Sequence, residues 1–272
     1  MRIRAVLFSL FVASICCGGL ALLKALPAAA RQADPPAVVV DAQKPPLTVG
    51  EVVTRLVERN REREEALQKF QGTRVYSLKY TGFLGTHSAE MTVSVNYTSP
   101  DNKDFTIVSQ SGTKFIVDHV LKGLLDGEKE AANPENKQRT ALNASNYEFT
   151  LAGYETSEAT PQYVLNVKPK KDSKFVYRGK IWVDGTDFAV TRIQAEPAKS
   201  PSFWVKKSEV NHRYEKVDEF WLPAENKTES LIRLGGRAEL SIEYQNYRIT
   251  QAAPVESQGK DGGAQPVRPE DK

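Results

Sequence analysis

Three histidines are the residues best suited to chemistry in this sequence, because imidazole binds metal ions and transfers protons near neutral pH. His87, His119 and His212 lie far apart, and none has a second His or a Cys at the short spacing of a metal site. The sequence contains no G-x-S-x-G nucleophile motif, no P-loop and no dinucleotide-binding fingerprint. We therefore expect no catalytic residue, no metal and no cofactor, and a protein that binds its partner without enzymatic activity.

The charge balance indicates that nucleic acid is not a partner. The 272 residues include 37 basic and 34 acidic residues, which gives a formal net charge of +3. Arg2, Arg4 and Lys24 are the basic residues of the first thirty, which contain no acid, so the rest of the chain is neutral. Proteins that bind nucleic acid normally carry a clustered excess of basic residues. We find no such cluster in the sequence.

The N-terminus has the pattern of an export signal. Residues 1–4 include two arginines, residues 5–23 form an uncharged apolar run, and residues 28–30 are three alanines of the kind that signal peptidase accepts. We predict a signal peptide over residues 1–30, cleaved after Ala30, and a periplasmic mature protein. The apolar run is also just long enough to span a bilayer, so the alternative is an uncleaved segment that anchors the chain to the inner membrane.

One domain, residues 48–250, is expected between two unstructured segments. The preceding linker, residues 31–47, is rich in Ala, Pro and Val, and the tail, residues 251–272, is rich in Gly, Pro, Gln and charged residues. Thr48 and Glu51 have the spacing of a capping box, which predicts that a long helix begins there. The apolar face of that helix is predicted to comprise Val49, Val52, Val53, Leu56, Leu67 and Phe70.

Alternation of apolar and polar residues predicts an extensive antiparallel sheet. Residues 163–193 indicate three strands joined by tight turns, with Asp184-Gly185 as a two-residue type I′ turn. Residues 220–223 predict a strand that ends at an edge at Pro223. The total is about ten to eleven strands, more than an open sheet holds without curling. The expected fold class is α+β: a curved antiparallel sheet forming a half-open β-barrel, with a long N-terminal helix and inserted helices.

Residues 113–132 form an apolar helical stripe between two strands, and Asn133-Pro134 is typical of the start of a second, short helix. Two interpretations remain open for this insertion. In one, the stripe packs on the sheet as part of a dry core, which is the usual role of such stripes. In the other, it is a lid that covers a ligand cavity on the concave face of the sheet.

The order of elements and several local stretches resemble the LolA/LolB-like periplasmic lipoprotein-carrier superfamily and bacterial outer-membrane lipoprotein-sorting-like proteins. Together these stretches cover most of residues 48–250. They are LLDGEKEAA (124–132), TALNASNYEF (140–149), YVLNVKPK (163–170), IWVDGTDFAV (181–190), EPAKSPSFW (196–204), FWLPA (220–224) and GRAELSIEYQNY (236–247).

The resemblance implies a half-open barrel whose apolar cavity, under a helical lid, takes acyl chains. It implies a monomeric, non-enzymatic carrier of lipid or acylated lipoprotein for outer-membrane lipoprotein sorting, with an inner-membrane transporter or an outer-membrane acceptor as partner. The alternative is a sensing or scaffolding module of the same fold in envelope-stress signalling, without transport. The residues expected to line the cavity or form the lid are Phe115, Ile116, Val120, Leu121, Leu124, Leu125, Tyr76, Leu78, Tyr80, Val93, Val95, Leu165, Val167, Tyr177, Ile181, Leu240 and Ile242.

The resemblance also implies an arginine that holds the lid closed. Arg74, Arg178 and Arg192 all lie on predicted strands, and none of them falls in a motif that selects it. The sequence therefore leaves three candidates for this role.

The export signal gives the first testable prediction. If residues 1–30 are removed, the mature protein begins at Arg31 and is extracted from the periplasm without detergent. N-terminal sequencing of the exported product checks this. A membrane-bound product that retains residues 1–24 would contradict it.

Overall fold

The computed structural model describes residues 17–18, 45–83, 85–156, 160–233 and 235–254. Most of the predicted signal peptide, of the linker and of the tail lies outside these residues. Within the signal segment, Cys17–Gly18 is described, and it lies parallel to Pro223 and Ala224. The main body of the fold therefore begins at Pro45 and ends at Pro254.

Helix α1, Val49–Ala66, begins as the sequence predicts. The Glu51 N–H donates to the Thr48 hydroxyl at 3.4 Å, and the Thr48 N–H donates to the Glu51 carboxylate at 2.8 Å, which completes the capping box. The prediction that the helix extends to Phe70 is wrong. Leu67 is already extended, because the chain from Leu67 onward pairs with the last strand of the sheet.

Ten strands make up the sheet, apart from the short Cys17–Gly18 segment. They are β1 Leu67–Gly82, β2 Gly85–Thr98, β3 Asn102–Gly112, β4 Tyr147–Glu155, β5 Gln162–Pro169, β6 Tyr177–Asp184, β7 Val190–Pro197, β8 Val205–Val217, β9 Phe220–Ile232 and β10 Arg237–Ala252. Their order is β3-β2-β1-β10-β9-β8-β7-β6-β5-β4, and every neighbouring pair is antiparallel. The sheet is open, with β3 and β4 at its edges, which confirms the predicted α+β class with a curved antiparallel sheet.

The insertion between β3 and β4 contains two helical parts. We call its first part the inserted helix: α2, Lys114–Ile116, a π-helical turn, Val117–Leu121, and α3, Lys122–Ala131. The second part is α4, Pro134–Thr140, whose first free N–H groups are capped by the Asn133 side chain, with Pro134 at the first helical position. The predicted short helix after Asn133 is therefore confirmed.

Two main apolar cores lie on the concave side of the sheet. In the first, the inserted helix packs against β1, β2 and β10. In the second, α1 packs through Val52, Val53 and Leu56 against β4 to β8. A smaller cluster around Leu67, Phe70 and Phe220 joins them near the end of α1. The two helical covers therefore lie over opposite halves of one sheet.

The turn after β6 differs from the predicted two-residue turn. The loop spans residues 185–189, and Phe188, at a φ of 49°, takes the left-handed conformation in place of Gly185. The Asp184 carboxylate accepts the N–H groups of Thr186 at 2.8 Å and Asp187 at 2.7 Å. This side-chain capping stabilises a longer turn than the Asp-Gly dipeptide alone indicates.

Pro223 also differs from its prediction, because it does not end an edge strand. β9 runs from Phe220 to Ile232 and pairs with β8 over this length, with a register shift between Pro223 and Glu225. From Glu225 to Leu231 it also pairs with β10. At a bulge, a backbone nitrogen need not donate a hydrogen bond to the neighbouring strand. Proline, which has no backbone N–H, is therefore tolerated at this position within the sheet.

Gly185 provides a test of this loop. A Cβ at Gly185 would lie 2.9 Å from the Pro161 carbonyl oxygen, whereas a Cβ at Gly50 would meet nothing within 4 Å. We expect Gly185→Ala to lower the free energy of unfolding by about 1–3 kcal/mol. The matched Gly50→Ala change, at an exposed helical position, should raise it by up to about 1 kcal/mol. Urea unfolding measures both, and equal effects of the two changes would contradict the close approach of Pro161 to Gly185.

Candidate functional site

A cavity of about 430 Å³ lies between the two helical covers and the concave face of the sheet. The second half of α1 forms one side, and the end of the inserted helix with α4 forms another. The inner face of β6 to β9 forms the floor. The apolar side chains that line it include Val57, Leu67, Leu142, Phe175, Tyr177, Val190, Ile193, Tyr214, Phe220 and Trp221.

Small residues at the end of the inserted helix leave this space open. Ala131 and Ala132 lie on the cavity wall, where longer side chains would extend into it. The helix cannot continue across the gap, because Pro134 follows and begins α4. The cavity is therefore a consequence of where the inserted helix ends, while its apolar stripe packs on the sheet.

The polar part of the wall is a buried ion cluster. Glu128, from α3, is 2% exposed. Its carboxylate accepts hydrogen bonds from the two terminal guanidinium nitrogens of Arg74 on β1, one of them at 3.2 Å. Lys103, on β3, donates to the same carboxylate at 2.9 Å. Arg74 also donates to the Tyr76 hydroxyl and lies over the rings of Phe105 and Tyr244. This cluster ties the inserted helix to the sheet at the cavity wall.

Burial alone would raise the pKa of Glu128, but the charges of Arg74 and Lys103 outweigh it and lower that pKa from 4.5 to about 2. The carboxylate is therefore ionised at any physiological pH. Removing it would leave the buried Arg74 and the partly buried Lys103 without an anion, and breaking a buried pair in this way typically costs about 3–5 kcal/mol.

His212, on β8, lies behind the cavity wall and is 3% exposed. Thr228 donates to the Asn226 carbonyl oxygen at 2.9 Å, which turns the amide nitrogen of Asn226 toward His212 Nδ1, also at 2.9 Å. The proton is therefore on Nε2, which has no hydrogen-bond partner among the described residues. Burial, with a smaller effect from Arg74, lowers the pKa of His212 to about 3, so the ring is neutral.

The seventeen residues predicted to form the cavity or lid fall into separate places. Only Tyr177 lines the cavity. The first core contains Tyr76, Leu78, Val93, Val95, Ile116, Val120, Leu121, Leu124, Leu125, Leu240 and Ile242, and Tyr80 packs against it. Leu165, Val167 and Ile181 belong to the second core, and Phe115 is exposed. The apolar stripe thus packs as the dry-core interpretation describes, while the helix end borders the cavity.

Of the three candidate arginines, Arg74 is the one that contacts the inserted helix. Arg178 pairs with Asp172 at the surface, and Arg192 lies over the Trp182 ring. Lys103 and Glu128 were missed from the sequence. A signal for Glu128 was available, because it lies three and four residues after Leu125 and Leu124 and so continues the buried stripe with a charged residue.

No protein-family model matches the chain, and no curated protein matches it. Among similar solved structures is a DUF1329 family protein from Desulfovibrio piger, with 14% identity and a TM-score of 0.38 over 74% of this chain and 92% of that one. A putative outer membrane lipoprotein-sorting protein domain from Vibrio parahaemolyticus has 10% identity and a TM-score of 0.36 over 73% of this chain and 92% of that one. A LolA superfamily protein from Nitrosomonas europaea has 11% identity and a TM-score of 0.32 over 77% of this chain and 98% of that one. The fold class is shown by the sheet order itself.

Two further features of the described residues bear on the site. They contain no group of three or more His, Cys, Asp or Glu side chains placed to hold a metal ion. Within the same part of the chain, no helix combines the length and the apolar character needed to cross a bilayer.

The ion cluster predicts a specific loss of stability in acid. Folding lowers the pKa of Glu128, so the ionised carboxylate contributes fully to the free energy of unfolding above about pH 5. This contribution is lost as the pH falls from 4.5 toward 2. Glu128→Gln should lower the free energy of unfolding at pH 7. The difference from wild type should then shrink by about 2 kcal/mol at about pH 3. Urea unfolding at several pH values measures it.

Glu130→Gln is the matched control, because Glu130 lies on the same helix and pairs with Lys174 at the surface. Its effect on stability should be small at every pH. A pH-independent difference between wild type and Glu128→Gln would contradict the lowered pKa.

Proposed function

We propose that this chain is a periplasmic, non-enzymatic protein that binds lipid or acylated lipoprotein, taking an acyl chain into the cavity between α1, the inserted helix and the sheet. The observation that supports this most directly is the cavity of about 430 Å³ with a mainly apolar wall. Its volume lies in the range of small-molecule sites, about 300–1,000 Å³. Its wall offers apolar contact beside charged side chains such as Arg63, Lys103 and Glu128.

Apolar burial supplies the affinity in this proposal. Each buried methylene contributes about 0.8 kcal/mol, so about ten of them contribute about 8 kcal/mol before the cost of association. Aromatic side chains such as Tyr177, Tyr214 and Trp221 provide broad surfaces for an alkyl chain. A ligand of this kind needs no catalytic group, and the binding energy follows from the shape of the wall.

In this proposal, the ligand enters the cavity beside the end of the inserted helix and α4. The end of the inserted helix and α4 border the cavity, and the cluster of Arg74, Lys103 and Glu128 holds the helix to the sheet. Arg74 is the residue that we assign to holding this cover closed. Release of cargo then requires this end of the insertion to move away from the sheet, while the apolar stripe remains packed.

The cellular role extends the proposal. With residues 1–30 removed, the chain would act in the periplasm as a carrier for outer-membrane lipoprotein sorting, receiving cargo from an inner-membrane transporter or delivering it to an outer-membrane acceptor. The N-terminal export pattern supports this location.

Filling the cavity tests acyl binding. Ala132→Trp places an indole on the cavity wall at a residue with ordinary helical dihedral angles. We expect it to abolish the binding of a fluorescent acyl probe and to leave the cooperative unfolding transition in place. Ala144→Trp, at an exposed turn outside the cavity wall, is the matched control and should bind like wild type. Probe titration by fluorescence measures both variants.

Two outcomes would count against the proposal. A wild-type protein that binds no acyl probe would reject lipid binding and would favour the sensing or scaffolding role. Equal binding by wild type and Ala132→Trp would place the ligand elsewhere on the chain.

A further inference from the structure

We propose that the ligand of this cavity is an anionic amphiphile, an acyl chain with a carboxylate or phosphate head group, and that the Lys103 ammonium binds this head. This inference rests on the proposed function, because it assigns the chemical class of the ligand of the same cavity. It concerns the polar end of the site, whereas the acyl-binding proposal concerns its apolar walls.

The first basis is a surplus of positive charge at one point of the wall. Arg74 and Lys103 share one carboxylate, Glu128, so the buried cluster has two cations and one anion. The other contacts of Arg74 are neutral: the Tyr76 hydroxyl and the rings of Phe105 and Tyr244. A buried charge is stabilised when it is paired, so this cluster favours one further anion.

Two of the other cations of the wall pair with carboxylates. Arg61 pairs with Glu65 at 2.8 Å, and Lys137 pairs with Asp101. Arg63 donates to the backbone carbonyl of Asp187 and lies in the field of the carboxylate of the same residue. The Asp187 carboxylate itself pairs with Lys216 at 2.8 Å, and the wall also carries the Glu64 carboxylate. The cluster around Glu128 is the part of the wall where two cations are paired with one carboxylate, which locates the head group at one end of the cavity.

Lys103 is the member of the cluster that an incoming anion can reach. It lines the cavity, and its side chain is 14% exposed, against 4% for Arg74. An ammonium group has three N–H donors, and in the described residues Lys103 uses one of them, on Glu128. Two donors remain for a carboxylate or phosphate oxygen, and such charge-assisted hydrogen bonds are among the strong ones.

The position of Lys103 also orients the acyl chain. Lys103 lies on β3 opposite Tyr97 of β2, next to Pro100 and Asp101 of the turn that joins the two strands, and all four residues line the cavity. The apolar floor, with Ile193 and Tyr214, belongs to β7 and β8 on the other half of the sheet. A head group at Lys103 therefore directs the alkyl chain toward the floor.

The test compares two fluorescent probes with the same alkyl chain, dansyl-aminoundecanoic acid and its methyl ester, on the mature protein. We expect the acid to bind wild type about tenfold more tightly than the ester, the effect of one charge-assisted hydrogen bond. Lys103→Met should remove this preference and retain ester binding. That variant leaves Arg74 and Glu128 as a balanced pair, so we expect it to fold.

Lys137→Met is the matched control, because Lys137 also lines the cavity but has its own carboxylate. It should keep the tenfold preference for the acid. Competition with oleic acid, lysophosphatidic acid and neutral monoolein then separates carboxylate from phosphate ligands, and either anion displacing the probe more strongly than monoolein supports the proposal.

The outcomes distinguish the two proposals. If neither probe binds wild type, acyl binding itself fails. If both probes bind equally, or if Lys103→Met keeps the preference for the acid, acyl binding stands and the anionic head group at Lys103 is overturned. Loss of the preference in Lys137→Met as strongly as in Lys103→Met would also overturn it, because the cavity charge in general would then be responsible.

Discussion

The ion pair between Arg74 and Glu128 is the interaction on which the arrangement of this molecule depends. It joins the second turn of α3 to the first strand of the sheet across 54 residues, and both side chains are almost fully buried. A buried pair of this kind does not by itself add much stability relative to apolar packing. It does fix one geometry, because any shift of the inserted helix along β1 would leave charges unpaired in the interior.

The cavity follows from this constraint. The inserted helix is held over β1, β2 and β10, and α1 covers β4 to β8, so the two covers meet without filling the space between them. Ala131 and Ala132 end the inserted helix at that point, and Pro134 redirects the chain. The polar cluster and the apolar floor are therefore two ends of one site, which is the pattern expected for a ligand with a head and a chain.

Much of the architecture was predictable from local patterns. The Thr48–Glu51 capping box, the cap at Asn133 and the alternation over residues 163–193 each depend on neighbours in the sequence, and each appears where it was expected. The errors occurred where a partner distant in sequence decides. Leu67 and Phe70 leave the helix because β10 pairs with them, and β9 continues past Pro223 because its residues from Glu225 onward pair with β10.

The sequence by itself predicted the fold class and about ten to eleven strands, because periodicity records which side of an element faces away from water. It left open whether the inserted stripe packs in a core or forms a lid. It did not determine the cavity. Sixteen of the seventeen predicted residues lie outside its wall, and Lys103 and Glu128 were not selected. Apolar residues have the same pattern whether they fill a core or line a space. Only the tertiary structure decides where helices stop short of one another, and which of three arginines meets a carboxylate that is distant in the sequence.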